Sequence, residues 1–134
     1  MTDTPASKDL TNALLSLIRQ QRHYGVRVII STQEPTVSPK LIDLCSVTIV
    51  HRFSSPEWFN ILRKHISVEG AESSADELFA TILGLKTGEA VVFAPSAVVE
   101  RGLRLVKLNG ELLKVRVRKR LTLDGGASVV VMPS

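Results

Sequence analysis

The sequence predicts an α/β layer, a mainly parallel sheet flanked by helices with a C-terminal β-hairpin appended. Three observations carry that expectation. The first is a set of short strand-like runs, Val26–Ile30, Ser46–Phe53 and Ala90–Ala94, of which Val26–Ile30 is β-branched and too short and apolar for a surface helix. The second is spacing, since about a dozen residues with a helical piece separate the first two runs, enough for a parallel crossover. The third is a change of character after residue 96, where strand-like runs flank Asn109-Gly110, a strong hairpin signal. The expected organisation is a polar lead-in over residues 1–8, an α/β domain over 9–97 and a basic β-hairpin tail over 98–134.

Each element has a local reason. Leu10, Leu14, Leu17 and Ile18 share one face of a helix that Ser7 or Asp9 caps and Gly25 ends. Arg19, Arg22 and His23 form a basic patch at its end, either a solvated face favoured by the helix dipole or a phosphate or subunit contact. Val26–Ile30 reads as a buried strand delivering Ser31, Thr32, Gln33 and Glu34 at its carboxyl end. Ligands of open α/β sheets sit beyond that end, so Thr32 and Gln33 are nucleotide-proximal candidates. Pro35 and Pro39 exclude regular structure between them, and Pro39 opens a short helix over Lys40–Leu44 with Ser38 as cap. Ser46–Phe53 is a second strand, with His51 and Arg52 at its carboxyl end, beside Gln33 if the two strands are parallel.

Ser54-Ser55-Pro56-Glu57 starts another helix, whose stripe is Trp58, Ile61, Leu62, His65 and Ile66. Ser74-Ala75-Asp76-Glu77 is a capping box, and Leu78, Ile82 and Leu85 face inward from the helix it opens. Ala90–Ala94 is a third buried strand. In the tail, Leu103–Leu108 and Glu111–Leu121 are the hairpin arms. Alternation along the second arm puts Lys114, Arg116, Arg118 and Arg120 on one face, and Val129–Met132 is a last short strand.

Composition narrows the function classes. The 134 residues are long enough for a real core, and 44% hydrophobic with 22% charged content argues against wholesale disorder. Seventeen Lys and Arg against thirteen Asp and Glu leave a charge of +4, a mild bias toward an acidic partner such as nucleic acid. With Cys45 alone, no intramolecular disulfide forms, and no signal pattern or membrane-length apolar run occurs. The expectation is an intracellular protein, cytoplasmic or nuclear, with no membrane partner.

The motifs exclude more than they assign. No G-x-x-x-x-G-K-[ST] phosphate loop and no apolar strand ending in Asp-Glu occurs, so tight ATP binding by this chain alone is not expected. His23, His51 and His65 are scattered and Cys45 has no Cys partner, so no metal site is expected. Cys45 with His51 would need the fold to join a helix end to the next strand, and a packed core cysteine is the simpler reading. Asp9, Asp76 and Glu77 fit helix starts better than catalytic acids.

The block from Ile18 to Pro35, reading Ile-Arg-Gln-Gln-Arg-His-Tyr-Gly-Val-Arg-Val-Ile-Ile-Ser-Thr-Gln-Glu-Pro, then Ser46–Ser54 and Leu85-Lys86-Thr87-Gly88-Glu89-Ala90, resembles the C-terminal half of FtsK/HerA-type RecA-like P-loop ATPases. It looks closest to their fungal AAA-like relatives, and the match spans residues 10–97 or so. The basic run Val115–Thr122 resembles their last strand more weakly. The resemblance implies a partial RecA-like core from a DNA-translocating or helicase-type ATPase. Gln33 would then be a sensor beside Thr32, and Arg52 a candidate arginine finger, with Arg19 or Arg22 as interface alternatives. Gln33 equally suits a strand-end amide bonding loop backbone, and Arg52 a surface ion pair.

The family's phosphate loop and magnesium acids lie upstream of the matched part. ATP and Mg would therefore be cofactors only after complementation by an upstream half, with none bound by this chain alone. The expected partners are DNA and either a second copy or an ATPase chain. One sheet edge is expected to lack a partner. The readings from this sequence are an ATPase portion inert by itself, a non-enzymatic module using the basic ribbon on nucleic acid or protein, and an ATPase active only when complemented.

Overall fold

Three helices begin with the same two-residue grammar, a hydroxyl residue followed by proline. The computed structural model describes residues 4–33, 37–66 and 73–121. In it, Thr4-Pro5 opens α1 (Pro5–Arg19), Ser38-Pro39 opens α3 (Pro39–Asp43) and Ser55-Pro56 opens α4 (Pro56–Arg63). Proline at the first position loses no hydrogen bond, and at α1 and α4 the hydroxyl accepts one from an orphan amide, whereas the Ser38 side chain makes no such bond. The Thr4 side chain accepts from the Ser7 amide and Ser55 from the Trp58 amide, each at 3.3 Å. The first helix therefore starts ahead of Ser7 and Asp9, the caps expected for it. It breaks at Gln20 and resumes as α2 (Gln21–Tyr24), ended by Gly25 at φ 64°.

The remaining elements are β1 (Thr48–His51), α5 (Ser73–Leu83), β2 (Glu89–Phe93), β3 (Val98–Arg101), β4 (Arg104–Lys107) and β5 (Leu112–Arg116). One sheet has the order β1-β2-β5 and the other is the β3–β4 pair, and every pairing is antiparallel. The main core lies between the first sheet and α4 and α5. It holds Phe59, Leu62, Ile66, Leu78, Ile82, Leu85 and Val91, with Phe59 and Phe79 rings 4.7 Å apart. Leu78, Ile82 and Leu85 face inward as expected. On α4 the buried residues include Phe59, which the expected stripe left out, while Trp58, Ile61 and His65 are half-buried. The Ser74 capping box and the Val129–Met132 strand lie outside the described side chains and residues.

The mainly parallel, RecA-like sheet is overturned. Residues 26–30 belong to no strand, so the buried parallel strand on which the family kinship rested is absent. The physical reason is visible in the side chains. Val28 and Ile30 pack on Leu15, Ile18 and Leu41 of α1 and α3, so the run covers its apolar face on helices. β2 instead has Ala90 and Val91, neighbours on opposite faces, both buried. That is the signature of a central strand, and β2 takes β1 and β5 as its two neighbours.

The C-terminal hairpin also differs from expectation. Asn109 and Gly110 do turn the chain, at φ 45° and 90°, but they connect two sheets. β4 pairs backward with β3 across Gly102-Leu103, and β5 pairs with β2. Gly102 has φ 64° while Leu103 has none of the positive φ values, which makes a type II′ hairpin turn. β5 thus ties residues of the expected tail into the sheet of the expected domain. Among the described residues, no helix is long and apolar enough to cross a membrane.

Candidate functional site

A groove of about 580 Å³ lies between residues 29–33 and β1, lined also by Ile42, Trp58 and Leu62. The structure brings Thr32, Gln33 and Arg52 together on its walls, although the parallel strands expected to do so are absent. Gln33 and Arg52 are exposed, and no acidic side chain among the described residues lines the groove. Arg19 and Arg22, the interface alternatives, are exposed on α1 and α2 and do not line it.

His51 sits on the same wall, with its Nδ1 3.2 Å from the carbonyl of Glu89. A donated Nδ1–H fits that contact, which ties the ring across the β1–β2 pair instead of toward Cys45. Cys45 itself is exposed, not packed in the core. Its Sγ donates to the Leu41 carbonyl at 3.2 Å, and desolvation pushes the thiol above its ordinary value. An activated nucleophile needs the opposite shift.

A second groove, about 710 Å³, holds Asp43, Cys45, His65, Lys107 and Asn109 on its walls. His65 Nδ1 contacts Asp43 Oδ1, joining the end of α3 to the residues after α4. No hydrogen bond links His65 to Cys45, so this set lacks the nucleophile–base contact of an acyl-transfer site. Among the described residues no group of three or more His, Cys, Asp and Glu side chains is placed to hold a metal ion.

The basic residues of the tail divide into two sets. Lys114 and Arg116 stand in β5 and converge on Glu89, with Lys114 Nζ 3.2 Å and Arg116 Nη2 3.6 Å from its carboxylate. Glu89 also accepts from the Lys86 amide at 2.9 Å. That amide first, then Lys114, holds its carboxyl below the usual range. Glu89 is the charged group that sequence reasoning missed. Its signal was a carboxylate opening an otherwise apolar strand after Thr87-Gly88. Arg118 and Arg120 lie beyond the end of β5, exposed, together with Lys119, and none of the three has a partner among the described residues. The expected continuous ribbon of four cations on one strand face therefore stops at Arg116.

No protein-family model matches the chain, and no curated protein and no solved structure does either.

Proposed function

We infer that the chain is a non-enzymatic binding module that holds an anionic polymer, nucleic acid, through the basic end of β5. The supporting observation is the run Arg118-Lys119-Arg120, three exposed cations that follow a strand whose own cations are occupied by Glu89. Cations without carboxylate partners are the ones free to replace counterions on a phosphate backbone, and that replacement makes affinity salt-dependent. The catalytic alternatives lack support in the geometry: the thiol is raised, and His51 and His65 are engaged elsewhere.

The test is binding of a labelled DNA duplex across a salt series. Replacing Arg118, Lys119 and Arg120 by Gln leaves the Glu89 pairs intact and lowers the slope of log affinity against log salt by about 3. Affinity that does not fall with salt, or that survives the triple substitution, defeats this reading.

A second reading is favoured by the shared position of Thr32, Gln33 and Arg52 on one groove. In it the chain contributes one wall of a nucleotide pocket and another polypeptide supplies the phosphate loop and magnesium acids. ATP hydrolysis then appears only on mixing with such a polypeptide, and Gln33→Ala abolishes it. Saturable ATP binding by the isolated chain contradicts this second reading.

A further inference from the structure

Residues 26–31 alternate in burial with a period of two. Val26, Val28 and Ile30 are half-buried, and Arg27, Ile29 and Ser31 are exposed. This is the side-chain pattern of a strand with one covered face, in a segment with no ladder. The inward residues Val28 and Ile30 meet Leu15, Ile18 and Leu41. Ile29, on the other side, is 92% exposed.

Across the groove, β1 is unfinished in the same way. Among the described residues it pairs only with β2, and antiparallel geometry turns the N–H and C=O of alternate residues away from that partner. Every residue from Val47 to Phe53 lines the groove. Residues of both sheet faces are included, so the groove runs along the open edge of the strand and not across one face. Val47 is 50% exposed and Ile49 59%. Natural edges are usually blunted with lysine, proline or a bulge, and Thr48–His51 contains no lysine or proline.

Charge narrows the occupant. Among the described residues the groove walls carry no carboxylate, and Arg52, at the carboxyl end of β1, has no ion-pair partner. His51 is engaged with the Glu89 carbonyl. A second copy of β1 would leave Arg52 unanswered, because Ser46–Phe53 contains no acid.

We propose that this groove takes up an extended, apolar strand from another polypeptide. The strand carries a carboxylate at the end beside Arg52, pairs its backbone with the free edge of β1, and covers Ile29 and Ile49. The four residues of β1 offer an edge about 13 Å long, enough for a strand of four or five residues. Main-chain hydrogen bonds supply the affinity, and the apolar walls with the single cation supply the selection. This docking site is separate from the basic end of β5, and neither depends on the other.

The probe is the peptide Ac-Thr-Val-Thr-Val-Thr-Val-Glu, with a control ending in Lys. The Glu peptide binds saturably, at least tenfold tighter than the Lys peptide, and slows hydrogen exchange at amides within Thr48–His51. Arg52→Glu reverses the preference. Ile29→Glu weakens the Glu peptide at least tenfold without moving the thermal midpoint, because Ile29 is exposed. The proposal is overturned if neither peptide binds saturably, or if binding leaves the β1 amides unprotected. It is also overturned if those amides are fully protected in the free protein. In that case dilution tells whether a second copy or the chain's own C-terminal residues cover the edge.

Discussion

The two halves of the molecule use similar apolar runs to opposite ends. In the sheet half, Glu89–Phe93 is flanked on both sides by strands and backed by α4 and α5. In the N-terminal half, Val26–Ile30 is the more β-branched run, yet it has no ladder and rests on a cluster of three buried residues, Leu15, Ile18 and Leu41. Intrinsic preference for extended backbone is therefore not what separates them. What separates them is the supply of partners: a run with a preference for extended backbone becomes a strand when a neighbour's backbone pairs with its own.

The largest expected effect tests that contrast with one residue type. Ile82 is 1% exposed in the main core and Ile29 is 92% exposed beside the groove. Ile82→Ala removes packed methyl groups and leaves a cavity, a loss of about 2–5 kcal/mol. Ile29→Ala changes stability by no more than about 0.5 kcal/mol, as expected for a surface position. Urea unfolding of the two variants measures both. A comparable loss at Ile29 means that the 26–31 segment is already covered in solution, and the comparison between the halves fails.

The same contrast explains how much of the fold was legible in the sequence. Signals that act within a few residues were readable. The proline-led starts at Ser38 and Ser55, the left-handed stop at Gly25 and the inward face Leu78, Ile82 and Leu85 all appear where the pattern placed them. Pairing was not readable, because a β-branched run states its preference for extended backbone and nothing about its neighbour. Asn109-Gly110 shows the difficulty. The pair does adopt positive φ and turn the chain, but a turn specifies a change of direction and not that the strands on either side pair with each other. The true hairpin turn, Gly102-Leu103, lies seven residues earlier in the chain and carries only one glycine as its signal. At the site, Thr32, Gln33 and Arg52 were readable as polar groups at the ends of apolar runs. The pairing of Lys114 and Arg116 with Glu89 needed the β2–β5 register, which places Glu89 opposite Arg116 and Lys114 one step along the same face.

A smaller effect sharpens the account of the sheet half through pH. Glu89 is a buried residue whose carboxylate accepts from the Lys86 amide and pairs with Lys114. These contacts favour the ionised form and lower its pKa in the folded protein. A group with a depressed folded pKa contributes stability that is fully present above its unfolded value, about 4.3 for glutamate. That contribution is lost as pH falls from there through the lower folded value. The thermal midpoint is therefore expected to drop with acidification across this window, and Glu89→Gln lies below the parent at neutral pH and converges on it in acid. Arg116 is 3.6 Å away with its side chain largely in water, where screening leaves an ion pair little weight. Arg116→Gln accordingly changes the profile less than Lys86→Pro, which removes the amide that donates to the carboxylate. Equal acid sensitivity in Glu89→Gln and the parent would mean that another carboxylate controls the transition, and that the β2–β5 contact is held by its backbone ladder alone.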